Sequence, residues 1–291
     1  MVMTLSELYV QTRRALLAKE DADTAGFLAR EILCHVTGKS KEQFLAQRNH
    51  YATGKEYLET ESLVSRLLSG EPLAYIIGEW DFYGMKLMVT PDVLIPRDDT
   101  CAVTELAIRQ ALFLDTNPRI LDLCTGSGCI GLAIANRVKD AKVTLGDISR
   151  DAMQVAKKNI TAQKLTARVS CVQVNALDAP PAFLGKFDLI VSNPPYITTD
   201  EMKVLPESVA KFEPHLALHG GEDGLDFYRS IAENYKNILK PGGFLCFEFG
   251  MGQGDAVCKL LEENEFTILE RTRDYNDRER AVLAQLIRKE A

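Results

Sequence analysis

The feature that most restricts the fold of this chain is a regular alternation of short apolar runs and helical patterns beyond residue 98. Apolar runs of strand length occupy residues 119–123, 142–145, 168–174, 187–191, 243–249, 266–271 and 281–287. Helical periodicity fills most of the intervals between them, which predicts an α/β fold with a parallel sheet and helices on both faces. The last two runs have no helix between them, so we expect the sheet to end in an antiparallel hairpin.

The residues before this region follow a different pattern. Apolar residues recur at helical spacing through residues 1–72 without an intervening strand pattern, which predicts a small helical bundle. Three short β-prone segments follow, at residues 73–77, 80–83 and 86–90, and the pair on either side of Gly84 predicts a hairpin. The predicted domains are therefore a helical domain at 1–72, a β-hairpin connector at 73–97 and an α/β domain at 98–291.

Composition excludes several classes of protein. The 34 basic and 41 acidic residues give a net charge of −7 without a basic block, so direct nucleic-acid binding is not expected. The seven cysteines form no Cys-x-x-Cys pair and do not cluster with the four histidines, which predicts free thiols and no metal site. No apolar run reaches the roughly 18 residues of a membrane span, and no signal peptide is visible. We expect a cytoplasmic protein without membrane association.

A loop of small residues follows the first strand of the α/β region and leads into a helix. Glycines let the backbone approach a ligand closely, and a helix N-terminus offers free N–H groups. Asp147 ends the next strand, where a carboxylate can accept hydrogen bonds from both hydroxyls of a ribose. This pattern fits either a dinucleotide or S-adenosylmethionine. The loop consists of Cys124, Thr125, Gly126, Ser127 and Gly128.

A second motif decides between these ligands. The strand at 187–191 is followed by Asn193, Pro194, Pro195 and Tyr196, at the sheet edge where α/β proteins bind ligands. The Asn193 side-chain oxygen and the Pro194 carbonyl can accept the two N–H bonds of a planar NH₂ group. Pro195 keeps Pro194 extended, which aims that carbonyl. With both hydrogens held, the nitrogen faces an electrophilic methyl group, and Tyr196 is expected to pack against the substrate's planar group.

With these motifs, the chain resembles the PrmC/HemK family, the peptide chain release factor N5-glutamine methyltransferases. The resemblance covers nearly the whole chain, and the Asn-Pro-Pro-Tyr motif alone is shared with methyltransferases that act on nucleic-acid bases. Further matching segments are Ile-Pro-Arg at 95–97, Phe-Glu-Pro at 212–214, Leu-Ala-Leu at 216–218, Gly-Gly at 220–221, Asp-Gly-Leu at 223–225 and Glu-Phe-Gly at 248–250, followed by Gln253.

The resemblance implies a class I S-adenosylmethionine-dependent methyltransferase fold, Rossmann-like, with seven strands of which the last is antiparallel. It implies methyl transfer from S-adenosylmethionine to the side-chain amide of the glutamine in the Gly-Gly-Gln motif of release factors, which leaves S-adenosylhomocysteine. It favours substrate docking by the N-terminal helical domain. By motif match, residues 124–128, Asp147, Asn175 and Asn193 hold the cofactor. Asn193, Pro194, Pro195 and Tyr196 hold the glutamine, with Asn193, Pro194 and Tyr196 catalytic.

The chain departs from the family pattern at three places. Cys124 stands where the cofactor loop usually has its first glycine, and Asn175 stands where an acid commonly faces the adenine amino group. The segment after Arg97 reads Asp-Asp-Thr-Cys at 98–101, without the family's second proline and final acid. Glu248 is expected to support the Asn-Pro-Pro-Tyr loop. The charged run from Asp274 to Arg280 predicts a solvated turn.

Three other functions compete with this one. A glutamine methyltransferase of a ribosomal protein shares the site but differs in its N-terminal domain and substrate. An amino-methyltransferase of nucleic-acid bases shares the motif, and the acidic balance argues against it. A nicotinamide-dependent oxidoreductase shares the glycine loop but has no use for the Asn-Pro-Pro-Tyr motif.

Overall fold

A computed structural model describes residues 3–287. The chain forms two compact units, one that ends at Gly78 and one that begins at Glu79. Within the described residues, no helix is both long and apolar enough to cross a membrane.

The described residues of the first unit, 3–78, form five helices. Side-chain caps define several of their starts, including capping boxes in which Thr4 pairs with Glu7 and Thr53 pairs with Glu56. The helices are α1 (Leu5–Leu16), α2 (Ala22–Thr37), α3 (Lys41–Ala46), α4 (Gly54–Leu68) and α5 (Leu73–Ile77).

The last of these helices corrects the β-prone interpretation of residues 73–77. Pro72 precedes the first turn of α5, and Gly78 ends the helix with a left-handed φ of 81°. Four consecutive residues of the segment are buried. A short apolar run of this kind has no periodicity that distinguishes a buried strand from a buried helix.

The second unit begins with the predicted hairpin. Strands β1 (Glu79–Phe82) and β2 (Met85–Met88) pair antiparallel, with Phe82 opposite Met85. Tyr83 and Gly84 both have positive φ, 49° and 75°, as a tight two-residue hairpin turn requires. The hairpin prediction is therefore confirmed.

In the part of the chain that the structure describes, seven further strands form the main sheet, in the order β5-β4-β3-β6-β7-β9-β8. Strand β9 runs antiparallel to both of its neighbours, and the other strands run in a common direction. This arrangement confirms the predicted Rossmann-like sheet with an antiparallel last strand. The strands are β3 (Arg119–Leu123), β4 (Lys142–Asp147), β5 (Val169–Gln173), β6 (Phe187–Ser192), β7 (Leu239–Glu248), β8 (Phe266–Arg273) and β9 (Glu279–Leu286).

Helices cover both faces of this sheet. Alternate residues of β3 point to opposite faces, so Ile120 belongs to one apolar cluster and Leu121 to the other. The first cluster includes residues of α6, α7 and α8, and the second includes residues of α10 and α11. The helices are α6 (Cys101–Leu112), α7 (Cys129–Arg137), α8 (Arg150–Ala162), α9 (Glu207–Phe212), α10 (Asp226–Asn234) and α11 (Gly254–Glu263).

The strand order reverses between β3 and β6. Strand β3 connects to β4 on one side, while its other neighbour, β6, comes much later in the chain. The loops that leave the carboxyl ends of these two strands therefore diverge and leave a crevice, which is the usual ligand site of an open α/β sheet.

Candidate active site

The loop after β3 is held by hydrogen bonds to the buried carboxylate of Asp122. Asp122 is fully buried, and its Oδ2 accepts hydrogen bonds from the Thr125 hydroxyl at 2.6 Å and the Gly131 amide at 2.8 Å. Burial raises the pKa of Asp122 to about 7, although these two hydrogen bonds lower it. A Cβ on Gly131 would lie 2.9 Å from the same carboxylate oxygen, so only glycine admits this contact.

Three positions of this loop have left-handed backbones. Cys124, Gly126 and Gly128 have φ values of 60°, 52° and 86°. Glycine adopts such values without steric penalty, while a residue with a Cβ does so at a cost. Cys124, which stands where the family usually has a glycine, therefore has a left-handed backbone of the kind that glycine adopts most easily.

Asp147 lies at the end of β4, next to this loop. Its Oδ2 accepts a hydrogen bond from the Gly126 amide and its Oδ1 one from the Ser149 amide, both at 2.9 Å. Burial raises the pKa of Asp147, and the amide hydrogen bonds oppose that shift. A carboxylate has about four acceptor positions, so two amides leave capacity for two ribose hydroxyls.

Asn175 follows β5 at the same edge. Its Oδ1 accepts the Leu177 amide at 3.1 Å, and its Nδ2 donates to Asp178 Oδ2 at 3.0 Å. This orientation leaves one further lone pair on Oδ1, which is what an adenine amino group would need.

The Asn-Pro-Pro-Tyr segment leaves β6 beside the glycine loop. The Ser192 hydroxyl donates to the Leu123 carbonyl at 2.6 Å, which joins the ends of β6 and β3. The Asn193 Nδ2 donates to Thr100 Oγ1 at 3.3 Å. The Tyr196 carbonyl accepts Gln253 Nε2 at 3.0 Å, and burial raises the pKa of the Tyr196 phenol. These contacts hold both ends of the segment.

Two glycines pack directly against this segment. A Cβ on Gly220 would lie 2.6 Å from the Pro195 carbonyl oxygen, and one on Gly224 would lie 2.3 Å from the Tyr196 carbonyl oxygen. Ile197 forms a parallel bridge with His219, which brings the chain around residue 220 to this position. The backbone of the motif is thus enclosed by a second loop that has no room for side chains.

An ion pair joins two other segments that border the site. Glu213 is buried and pairs with Arg97, whose side chain is half-exposed. The other oxygen of Glu213 accepts the Ile95 amide at 3.3 Å. The Ile-Pro-Arg and Phe-Glu-Pro segments therefore form one clip, which we call the Arg97–Glu213 clip.

These pieces surround one cavity. Every predicted cofactor residue lines it except Gly128, and the predicted substrate residues Asn193 and Pro195 line it as well. Pro194 and Tyr196 do not line it. The clip contributes Arg97 and the neighbouring Pro214 to the wall. The predicted cofactor residues in the wall are Cys124, Thr125, Gly126, Ser127, Asp147, Asn175 and Asn193.

The cavity has polar groups that suit a cofactor. The Ser127 hydroxyl, which is in the wall, and Asp122 Oδ1, behind the loop, are buried without a hydrogen-bond partner among the described residues. Buried polar atoms are nearly always paired in native proteins, so the Ser127 hydroxyl in the wall suits a polar ligand at the loop. Among the described residues, no group of three or more His, Cys, Asp or Glu side chains is arranged to hold a metal.

Sequence reasoning gave no role to several residues that shape this site. Thr100 contacts Asn193, Gln253 holds the Tyr196 carbonyl, and Glu213 holds Arg97. The only signal for them was their place in segments typical of the family.

The turn before β9 is exposed at Asp277 and Arg278, as predicted, and differs from the prediction at Asp274 and Arg280. Asp274 and Arg280 are not solvated: Asp274 is 8% exposed, and its Oδ2 accepts Arg280 Nε at 3.0 Å. Arg280 Nη2 also pairs with Asp99 Oδ2 at 2.8 Å. The guanidinium bridges two carboxylates from distant parts of the chain, which a sequence pattern does not reveal.

The sheet order and the cavity at the reversal point define a class I methyltransferase. A methyltransferase of known structure from Pyrococcus furiosus shares the fold, with a TM-score of 0.50 and 16% identity over 77% of this chain and 97% of that chain. The family model "Methyltransferase small domain" matches residues 104–246, and "PrmC N-terminal domain" matches residues 7–78.

Curated relatives narrow this class. The release factor glutamine methyltransferase of Chlorobaculum tepidum is 38% identical over 279 residues, 94% of each chain. That of Haemophilus influenzae is 36% identical over 97% of this chain and 98% of the relative. That of Clostridium acetobutylicum is 42% identical over 73% and 74%. This chain belongs to the release factor glutamine methyltransferase family, which confirms the resemblance seen in the sequence.

Proposed function

We propose that this protein transfers a methyl group from S-adenosylmethionine to the side-chain amide nitrogen of the glutamine in the Gly-Gly-Gln motif of peptide chain release factors. The products are N5-methylglutamine and S-adenosylhomocysteine. The observation that carries the proposal is a cavity in which the glycine loop, Asp147 and Asn193 meet, in a chain that belongs to this family.

The cofactor residues have distinct roles in this proposal. The loop residues from Cys124 to Ser127 would hold the amino-acid part of S-adenosylmethionine. Asp147 would accept the ribose hydroxyls, and Asn175 would accept a hydrogen bond from the adenine amino group. Asn193 completes the wall near the methyl group. When bound, S-adenosylmethionine supplies an electrophilic methyl group on a sulfonium.

The substrate residues orient the glutamine amide. Asn193 Oδ1 and the Pro194 carbonyl would each accept one N–H, which would turn the amide nitrogen towards the methyl group. Pro195 sets the direction of the Pro194 carbonyl, and Tyr196 packs beside the amide plane. Orientation of this kind contributes as much as roughly 7–11 kcal/mol to the rate in favourable cases. The proton that leaves the methylated nitrogen passes to water.

The same proposal gives roles to the rest of the chain. The unit that ends at Gly78 docks the release factor, and the second unit carries out the transfer. The protein acts in the cytoplasm, which is consistent with its seven free thiols.

Methyl transfer from labelled S-adenosylmethionine tests this function. The acceptors are a purified release factor and the same factor with the Gly-Gly-Gln glutamine changed to alanine, with the modified residue located by mass spectrometry. Label on the first acceptor alone supports the proposal. Label on neither, with cofactor binding intact, refutes the substrate and directs the assay to ribosomal proteins and RNA.

A further inference from the structure

Asn193 has a buried carboxylate as its neighbour on the adjacent strand. Ser192 of β6 pairs with Phe247 of β7 in parallel register, so Asn193 and Glu248 follow side by side. Glu248 is 1% exposed and does not line the cavity, whereas Asn193 does. Its location suits an indirect action on the reaction through Asn193.

Thr100 joins these two side chains. The Asn193 Nδ2 donates to Thr100 Oγ1, so the hydroxyl hydrogen of Thr100 remains available as a donor. The side chains of Thr100 and Asn193 both lower the pKa of the Glu248 carboxyl, as donors beside it do. Glu248 Oε2 is buried without a hydrogen-bond partner among the described residues, so it can accept a hydrogen bond from such a donor. An ionised carboxylate only accepts hydrogen bonds, so the chain of donors runs in one direction, from the Asn193 amide to Glu248.

This direction determines what Asn193 offers to a substrate. With its NH₂ group toward Thr100 and Glu248, the amide presents Oδ1 as its free group. The reverse orientation would place Oδ1 beside the carboxylate and offer N–H groups to a substrate that itself needs acceptors. Rotation of the Asn193 amide by 180° would therefore replace a favourable contact with a repulsive one, both at Glu248 and at the substrate.

We infer that Glu248, as a carboxylate, is a positioning residue for methyl transfer, which acts through Thr100 to keep Asn193 Oδ1 directed at the substrate amide. This inference rests on the proposed function. It predicts that protonation of Glu248 reduces the rate, because a protonated carboxyl can donate to Thr100 and allow the donor chain to reverse.

Several charged and titratable groups face Glu248. Burial raises its pKa to about 7, Arg280 of β9 lowers it and Asp99 raises it. The hydroxyls of Tyr196 and Tyr228 and the thiols of Cys101 and Cys129 also face this carboxylate, and burial keeps all four neutral by raising their pKa values. The Glu248 carboxyl therefore ionises within the pH range in which the enzyme can be assayed.

The test is the pH dependence of kcat at saturating S-adenosylmethionine, for wild type and four variants. Saturation separates Glu248 from Asp122, the other carboxyl with a pKa near 7, which acts at the cofactor loop. For wild type we expect kcat to rise with a midpoint near 7. In Glu248→Gln we expect kcat to lose this pH dependence. We also expect kcat to fall about tenfold to a hundredfold, which is the effect of one misdirected hydrogen bond, while KM stays nearly unchanged.

The other variants separate positioning from stability. Thr100→Val behaves like Glu248→Gln, and Thr100→Ser, which restores the hydroxyl, recovers activity relative to valine. Asp274→Asn removes a different buried carboxylate that pairs with Arg280, so it lowers the melting temperature but keeps the pH dependence of kcat. A pH dependence that survives in Glu248→Gln overturns the inference.

A second measurement does not depend on the substrate. The Asn193 side-chain amide signal, assigned by its loss in Asn193→Ala, is followed by ¹⁵N NMR as the pH changes. In wild type we expect it to titrate with Glu248, and in Glu248→Gln to stay constant. The same titration in both proteins refutes the inference. A titrating amide in an enzyme that methylates no release factor supports the donor chain and refutes only the proposed substrate.

Discussion

Cys124 adopts a left-handed backbone conformation in the cofactor loop, as Gly126 and Gly128 do. Its φ of 60° lies in the left-handed region, which costs a residue with a Cβ roughly 1–2 kcal/mol. The chain keeps this conformation because neighbouring contacts fix the loop: the Thr125 amide donates to the Gly146 carbonyl at 3.1 Å, and Thr125 also binds Asp122. The backbone is therefore strained at a position where the ligand is expected to bind.

Substitution of Cys124 tests this strain directly. Glycine relieves the backbone strain, but it also raises the conformational entropy of the unfolded chain, which offsets part of this gain in stability. Cys124→Gly is therefore expected to be as stable as wild type, or more stable by up to about 1 kcal/mol. Cys124→Val puts a β-branched residue at a positive φ and is expected to lose at least about 2 kcal/mol. Urea denaturation measures both. Equal stability of the two variants would show that the backbone at residue 124 is not strained.

At the scale of elements, the loop around residues 220–224 holds the Asn-Pro-Pro-Tyr segment in place. Gly224 has a φ of 76°, and a Cβ there would lie 2.3 Å from the Tyr196 carbonyl oxygen and 2.5 Å from Gln253 Nε2. Both contacts involve the hydrogen bond that fixes the end of the motif. A side chain at this position must therefore displace the motif itself.

Gly224→Ala is expected to lower methyl transfer at least tenfold while S-adenosylmethionine still binds, because displacement of the substrate segment by a fraction of an ångström misplaces the reacting groups. The matched control is Gly84→Ala in the hairpin turn. Gly84 has a similar φ of 75° but no atom within 4 Å of its Cβ position. The control should lose about 1 kcal/mol of stability and keep its activity. Equal activity losses in the two variants would trace the effect to backbone strain alone.

The Arg97–Glu213 clip is a further connection between elements at the site. Glu213→Ala leaves the buried Ile95 amide without its acceptor and frees the segments that carry Pro96, Arg97 and Pro214 in the cavity wall. We expect the Kd for S-adenosylmethionine to rise about tenfold and the melting temperature to fall, since an unsatisfied buried group costs about 1–3 kcal/mol. Calorimetric titration and thermal unfolding measure the two effects.

The control for the clip is an exposed ion pair, Arg109 with Glu270, whose side chains are 54% and 41% exposed. Exposed pairs contribute about 0–1 kcal/mol, so Glu270→Ala should change neither quantity measurably. An unchanged Kd in Glu213→Ala would mean that the clip does not shape the cofactor site.

At the scale of the whole molecule, the sequence predicts structural features that depend on residues close together in the chain. It does not predict contacts between residues that are far apart in the chain. The sheet and hairpin followed from periodicity and turn residues, and the glycine loop from its spacing. The contact of Thr100 with Asn193 spans 93 residues, and that of Arg97 with Glu213 spans 116. Such pairs leave no periodic signal, so only the fold shows which of the charged residues are buried partners.

Buried carboxyls give the whole molecule a characteristic pH dependence. Burial raises the pKa of Asp122 and of Glu248 to about 7 from ordinary values of 3.8 and 4.5, and also raises that of Asp147. Between about pH 4 and 7 the unfolded chain has released these protons while the folded protein retains them. Rising pH therefore favours the unfolded state across this window, by at most about 1.4 kcal/mol per pH unit for each group.

We expect the free energy of unfolding to fall from about pH 5 to about pH 7 and to level off above that range. Carboxyls with lowered pKa values, such as Asp223 and Asp274, titrate below this window, and the net charge of −7 adds repulsion in the same direction as the buried groups. Denaturation across this range should therefore show a shallower slope in Asp122→Asn, which removes one titrating group. A slope equal to that of wild type would assign the pH dependence to surface repulsion and not to the buried carboxyl that fixes the cofactor loop.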